Sequence, residues 1–198
     1  MTWNDISVKQ FTEIQNIITD KSMELDERIL ALILAVFGVS PDEMNLIEYQ
    51  RYVKELDFLK EEVKRNDLEP EYVINGHKYY VHTNPNLFTV AQLADYNNYV
   101  SMGDPLTNID RFLSIILIPE GKTYNKDYDM VEVIKDIRSM PITDAMAPFF
   151  YYRMLLKRSV DNILKSLTKQ IKKTKISKEE KQMIWEKISQ LTSGVSYL

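Results

Sequence analysis

Apolar positions recur every three to four residues over most of the chain, the period of amphipathic helices. Phe11, Ile14 and Ile18 mark one face of a helix from Val8 to Thr19. Ser7 precedes it and Gln10 follows three residues later, a capping box in which each side chain satisfies the other's backbone N–H. Leu25, Ile29, Leu32, Ile33, Val36 and Phe37 predict a second helix over about Met23 to Phe37. Leu30 and Leu34 widen its stripe so far that this helix is expected at the centre of the core. Gly38 is placed to stop it. Ser40-Pro41-Asp42-Glu43 combines an N-cap, a first-turn proline and an acidic third position. It opens a short helix that leads into a longer one, Ile47 to Lys64, with Tyr49, Tyr52, Val53, Leu56, Leu59 and Val63 on its apolar face.

Between Glu69 and Thr83 the period falls to two. Glu71 to Ile74, then Asn75-Gly76, then Lys78 to His82 has the form of a β-hairpin, since Asn-Gly accepts the positive φ angles of a type I′ turn. A lone hairpin is marginal in water, so this one must lie on the helices or pair with another chain. The helical period then resumes. Thr89 and Gln92 cap a helix reaching Ser101, and another spans Asn108 to Leu117 with Pro119 as its terminator. Glu120 to Asp127 is polar, and Asp129 with Glu132 starts a short helix ending near Met140. Pro141 to Asp144 begins the longest stretch, to about Lys173, with Pro148 as a kink or a later start. Ser177 and Glu180 cap a last helix, Lys178 to Leu191, which carries Ile184, Trp185, Ile188 and Leu191. The expected fold is mainly α, a multi-helix domain over 1–156 with one small β-hairpin at about 71–82, followed by a basic C-terminal helical arm over 157–198.

The chain has 198 residues, 44% hydrophobic and 27% charged, enough to bury a sizeable core without staples. It has no Cys, which removes disulfides, thiol catalysis and Cys-ligated metals. The N-terminus lacks the basic and apolar regions of a signal peptide. The longest apolar run, Ile29 to Phe37, falls far short of the ~20 residues of a membrane span. Charge is uneven. Residues 1–150 carry 14 Lys+Arg against 25 Asp+Glu, a net of −11, and residues 151–198 carry 11 against 4, a net of +7. An acidic body with a basic tail implies attraction within a chain, between copies in a homo-oligomer, or to an acidic partner.

Catalytic signals are sparse. His77 and His82 are two ligands where a closed zinc site needs four, and their odd separation puts them on opposite faces of a strand, as surface or turn histidines. The serine-hydrolase, P-loop and dinucleotide glycine motifs are absent. Asp127-Tyr128-Asp129 lacks the Gly and closing Glu of a calcium loop, and Glu61-Glu62 and Glu179-Glu180 read as helix-surface charge. The acidic body disfavours nucleic acid despite the tyrosines. No enzyme activity and no cofactor are expected. Phe149-Phe150-Tyr151-Tyr152 covers more than one helix face, so some of these rings pack inward and the rest are open to a partner. With Trp185, Lys172 and Lys173 in the basic arm, they are the expected protein-binding residues.

One stretch resembles a known family. Tyr72-Val73-Ile74-Asn75-Gly76-His77-Lys78-Tyr79 is followed by Leu87 to Asp95, Ile115-Ile116-Leu117-Ile118-Pro119-Glu120-Gly121, Tyr124-Asn125, Tyr128-Asp129, Ile142-Thr143-Asp144-Ala145 and Phe149-Phe150. This order, over about residues 70–156, resembles the tail assembly chaperones of tailed bacteriophages. Ala91 stands where the family prefers a small residue. The resemblance implies a protein that coats the helical tape measure protein in the cytoplasm of the infected host, with no catalytic residues, no nucleic acid and no membrane. The alternative it leaves open is a structural virion component, such as a neck, ring or packaged protein.

Overall fold

In a computed structural model the chain is described at residues 1–84, 88–102, 104–124 and 128–173, and at 177, 180, 182, 183 and 186. The helices are α1 (Val8–Thr19), α2 (Leu25–Phe37), α3 (Leu46–Glu55), α4 (Val90–Ser101), α5 (Ile109–Ile116), α6 (Met130–Ile137) and α7 (Ile142–Lys173). Three strands, β1 (Glu71–Ile74), β2 (His77–Val81) and β3 (Leu117–Pro119), form one antiparallel sheet in that order. The fold is mainly α, as the periodicity predicts.

The reciprocal caps form at Ser7/Gln10, Thr89/Gln92 and Ser177/Glu180. Ser40 differs. Its side chain caps nothing and Pro41–Glu43 makes only a 3-10 turn, while Asn45 and Glu48 supply the box that starts α3. α3 ends at Glu55, well before Lys64. Leu56–Lys60 tightens into a 3-10 turn and the backbone is extended at Glu61. Trp3 accounts for this departure. Its ring meets Phe58 edge-on at 5.1 Å and its indole N–H donates to the Glu61 carbonyl at 2.9 Å, so a tertiary contact takes the chain off the helical path.

The expected central helix is not central. In α2 only Leu32, Ile33 and Val36 are buried, and Leu25 and Leu34 are exposed. α1 likewise buries Val8, Phe11 and Ile14 but leaves Ile18 exposed. The centre is α5, where Ile109, Phe112, Leu113, Ile115 and Ile116 are all buried together with Asp110 and Ser114. Arg138 Nε donates to the Asp110 carboxylate at 2.8 Å, which makes that burial tolerable.

The hairpin does not stand alone. Tyr79, Tyr80 and Val81 of β2 pair with Pro119, Ile118 and Leu117, so the segment after α5 turns directly into a third strand. β3 is an edge strand, where a proline's missing N–H costs no ladder bond. The N-terminal segment bridges to the start of α7, at Ser7 and Pro141. Val8 N–H donates to the Met140 carbonyl and Ile142 N–H to the Ile6 carbonyl, both at 2.8 Å, fixing the start of α7. α7 passes through Pro148 without ending.

Candidate functional site

The four consecutive aromatics divide as helical rotation requires. Each residue turns about 100° on an α-helix, so Phe149 and Tyr152 share one face and Phe150 points away from it. Phe149 is buried against Phe112, with ring centroids 6.1 Å apart. Tyr152 is buried between Phe88, stacked at 5.3 Å, and Tyr96, edge-on at 5.6 Å. Phe150 is 37% exposed, Tyr151 is half-buried, and Met154, one turn on from Phe150, is 40% exposed. Of the expected protein-binding residues, Phe150 and Tyr151 thus reach the surface, while Phe149 and Tyr152 belong to the core. Lys172 and Lys173 occupy the last turn of α7. Trp185 lies outside the described residues, as does most of the expected last helix.

Phe150, Tyr151 and Met154, together with Ala147, line one side of a groove of about 540 Å³. The other side is a strap, Arg65 to Leu68, from more than seventy residues earlier in the chain. Two hydrogen bonds lash the strap to the first turn of α7. Asn66 N–H donates to the Thr143 carbonyl at 3.0 Å, and its side-chain amide donates to the Asp144 carboxylate at 2.6 Å. Pro148 offers no N–H to the Asp144 carbonyl four residues back, one residue on from the carbonyl that Asn66 bonds. The Arg65 guanidinium lies 5.7 Å from the Phe150 centroid. That of Arg153 lies 5.7 Å from Phe149 and 5.9 Å from Phe150. These are cation–π contacts.

A second, polar centre sits under the hairpin. Asp136, buried near the end of α6, accepts hydrogen bonds from His77 Nδ1 at 2.6 Å, the Tyr79 hydroxyl at 2.7 Å and the Asn75 side-chain amide at 3.0 Å. Burial alone raises the Asp136 carboxyl, but the hydrogen bonds from His77, Asn75 and Tyr79 outweigh it and hold the group below the usual carboxylate range. The bond to Asp136, and then its charge, raise His77 above the ordinary imidazole value. Burial first, and then the bond to Asp136, push the Tyr79 hydroxyl far up, so it stays protonated and donates. A carboxylate on Nδ1 orients an imidazole as in a catalytic dyad. Here, among the described residues, no hydroxyl hydrogen-bonds the other ring nitrogen. The arrangement acts as a clamp of hairpin to helix. His82, on the other side of β2, packs its ring 4.9 Å from Phe88, and burial lowers it.

Among the described residues no three His, Cys, Asp or Glu side chains are grouped to hold a metal ion, and no helix is long and apolar enough to cross a membrane. No family model, no curated protein and no solved structure matches the chain.

Proposed function

We propose that this chain is a non-enzymatic assembly protein of the tail assembly chaperone type, which holds an apolar helical segment of a tape measure-like partner against α7 during virion morphogenesis. The observation that carries the reading is the pair Phe150 and Met154, one helical turn apart and exposed along a groove walled by the Arg65–Leu68 strap. Exposed aromatic and Met side chains over a concave floor suit helix-in-groove recognition, in which anchors at i and i+4 of one helix meet the apolar stripe of another. The chain order of the hairpin, the capped α4 and the aromatic helix supports the same reading through the resemblance. The basic C-terminal stretch adds a second contact to an acidic partner or to another copy.

The test is affinity purification from phage-producing cells, comparing the natural chain with a Phe150→Ser/Met154→Ser variant. A long, helix-rich phage protein is expected to co-purify with the natural chain and to be lost from the variant, while purified mature particles lack the chain. Equal recovery with both chains would overturn the groove. Stoichiometric presence in mature particles would instead make it a virion component.

A further inference from the structure

Two arginines flank the groove, and no described residue neutralises either. Arg65 and Arg153 both lie against the Phe150 ring, and among the described residues neither side chain forms an ion pair or donates a hydrogen bond. Asp67 lines the same groove, yet makes no pair with either. The Arg153 Nε–H is sealed from solvent without an acceptor, and the residue as a whole is half-buried. A half-buried guanidinium with no anion beside it is unusual in a chain whose first 150 residues carry a net charge of −11. Acidic side chains are abundant nearby in sequence, at Glu61, Glu62, Asp67 and Glu69, and none closes on these two cations.

We propose that the groove selects a helix bearing a carboxylate beside its apolar stripe, the carboxylate being bound by Arg65 and Arg153 while the stripe covers Phe150 and Met154. The inference rests on the protein-binding reading above and names the chemistry of its partner. Arginine suits the task, because its planar fork meets both oxygens of a carboxylate. Stacking on Phe150 also holds the guanidinium groups in place before the partner arrives, which lowers the ordering cost of binding. The apolar floor excludes water from the pair and strengthens the attraction relative to an exposed ion pair. A purely apolar helix would leave both cations beside a desolvated surface without an anion, so the same two residues disfavour it.

The probes are two fluorescein-labelled amphipathic helical peptides, identical except that one carries Glu and the other Gln one turn from the apolar stripe. Their affinities for the full chain are read by fluorescence anisotropy at low and moderate salt. The Glu peptide is expected to bind about tenfold more tightly at low salt, with the ratio shrinking as salt rises. The Arg65→Gln/Arg153→Gln variant, shown by circular dichroism to be folded, should bind both peptides equally and at the level of the Gln peptide. Equal binding of the two peptides to the natural chain would overturn the proposal while leaving the groove intact. Binding of neither peptide would overturn both, and so would tight binding of anionic lipid vesicles that is indifferent to Phe150→Ser. The comparison of peptides on the natural chain decides the matter even if the double variant does not fold.

Discussion

Replacing Asp136 by Ala removes the acceptor on which three side chains of the hairpin converge. The Tyr79 side chain is buried to 1% exposure, so its hydroxyl has no water to turn to once the carboxylate is gone. An orphaned buried donor of this kind costs roughly 1–3 kcal/mol. The Asn75 amide loses a part-buried bond worth about 0.5–1.5 kcal/mol. His77 is largely solvent-facing and is rehydrated, so it adds little. The carboxylate's own desolvation is relieved, which offsets part of the loss. The balance is a destabilisation of about 1–4 kcal/mol. For a chain of this size it lowers Tm by roughly 3–15 °C.

Thermal unfolding followed by far-ultraviolet circular dichroism reads the global effect. Amide hydrogen exchange over β1 and β2 locates it, since the hairpin should lose protection before α1 or α5 does. A double-mutant cycle isolates the key bond. Tyr79→Phe in the natural chain breaks the bond to Asp136. In the Asp136→Ala background it removes an orphan instead and should be neutral or slightly stabilising, a coupling of about 1–2 kcal/mol. A Tm change within about 2 °C for Asp136→Ala, or strictly additive effects in the cycle, would refute the clamp.

The same pair sets a pH dependence. His77 is raised above its ordinary 6.5, so its contribution is complete below that value and fades as pH climbs through the raised one. Asp136 is lowered below 3.8, so its contribution holds above that value and fails only as pH drops through the lowered one. The Tm advantage of the natural chain over His77→Gln should therefore be larger at pH 5.5 than at pH 8.5, and an advantage that grows with pH would contradict it. Referring to that variant matters, because His82 is lowered by burial and acts in the opposite sense. At the turn, Asn75 and Gly76 have φ of 52° and 81°, and no atom lies within 4 Å of a Cβ built on Gly76. Gly76→Val should cost about 1–3 kcal/mol through backbone strain alone, and unchanged urea unfolding would exclude that source.

Local chemistry was the legible part of this chain. Caps, the Asn-Gly turn and helical stripes are written in residues three or four apart, and the structure places them accordingly at Ser7, Thr89 and Asn75-Gly76. What hydrophobicity alone misjudged was rank. α2 has the longest apolar run, yet Leu25 at its start and Leu34 near its end stay exposed on different sides of the helix. α5 carries Asp110, Arg111 and Ser114 and still forms the centre, because Arg138 and the local Ser114 hydroxyl bond to the Arg111 carbonyl satisfy its polar groups. β3 was hidden for a related reason. Three residues ending in Pro119 give no alternation to read, and only β2 makes them a strand.

The Asp136 clamp did leave a trace, namely a carboxylate three and one residues from Val133 and Ile137, inside the buried side of a short helix. A charged residue among apolar neighbours at helical spacing signals partners elsewhere, but their identity depends on a hairpin about sixty residues away. The groove shows the same division between local and distant information. Four aromatics in a row cannot share one face, so, while the packing of Phe149 and Tyr152 makes Phe150 the outward one, an outward ring as such follows from rotation alone. Its wall does not, because Arg65 to Leu68 has no apolar period and is held by Asn66 reaching Thr143 and Asp144. The proposed binding surface thus arises where a helix with one ring too many for its core meets a strap fixed by the backbone and side-chain hydrogen bonds of Asn66. The selectivity proposed for it would fall to the two arginines, which the same outward ring holds in place.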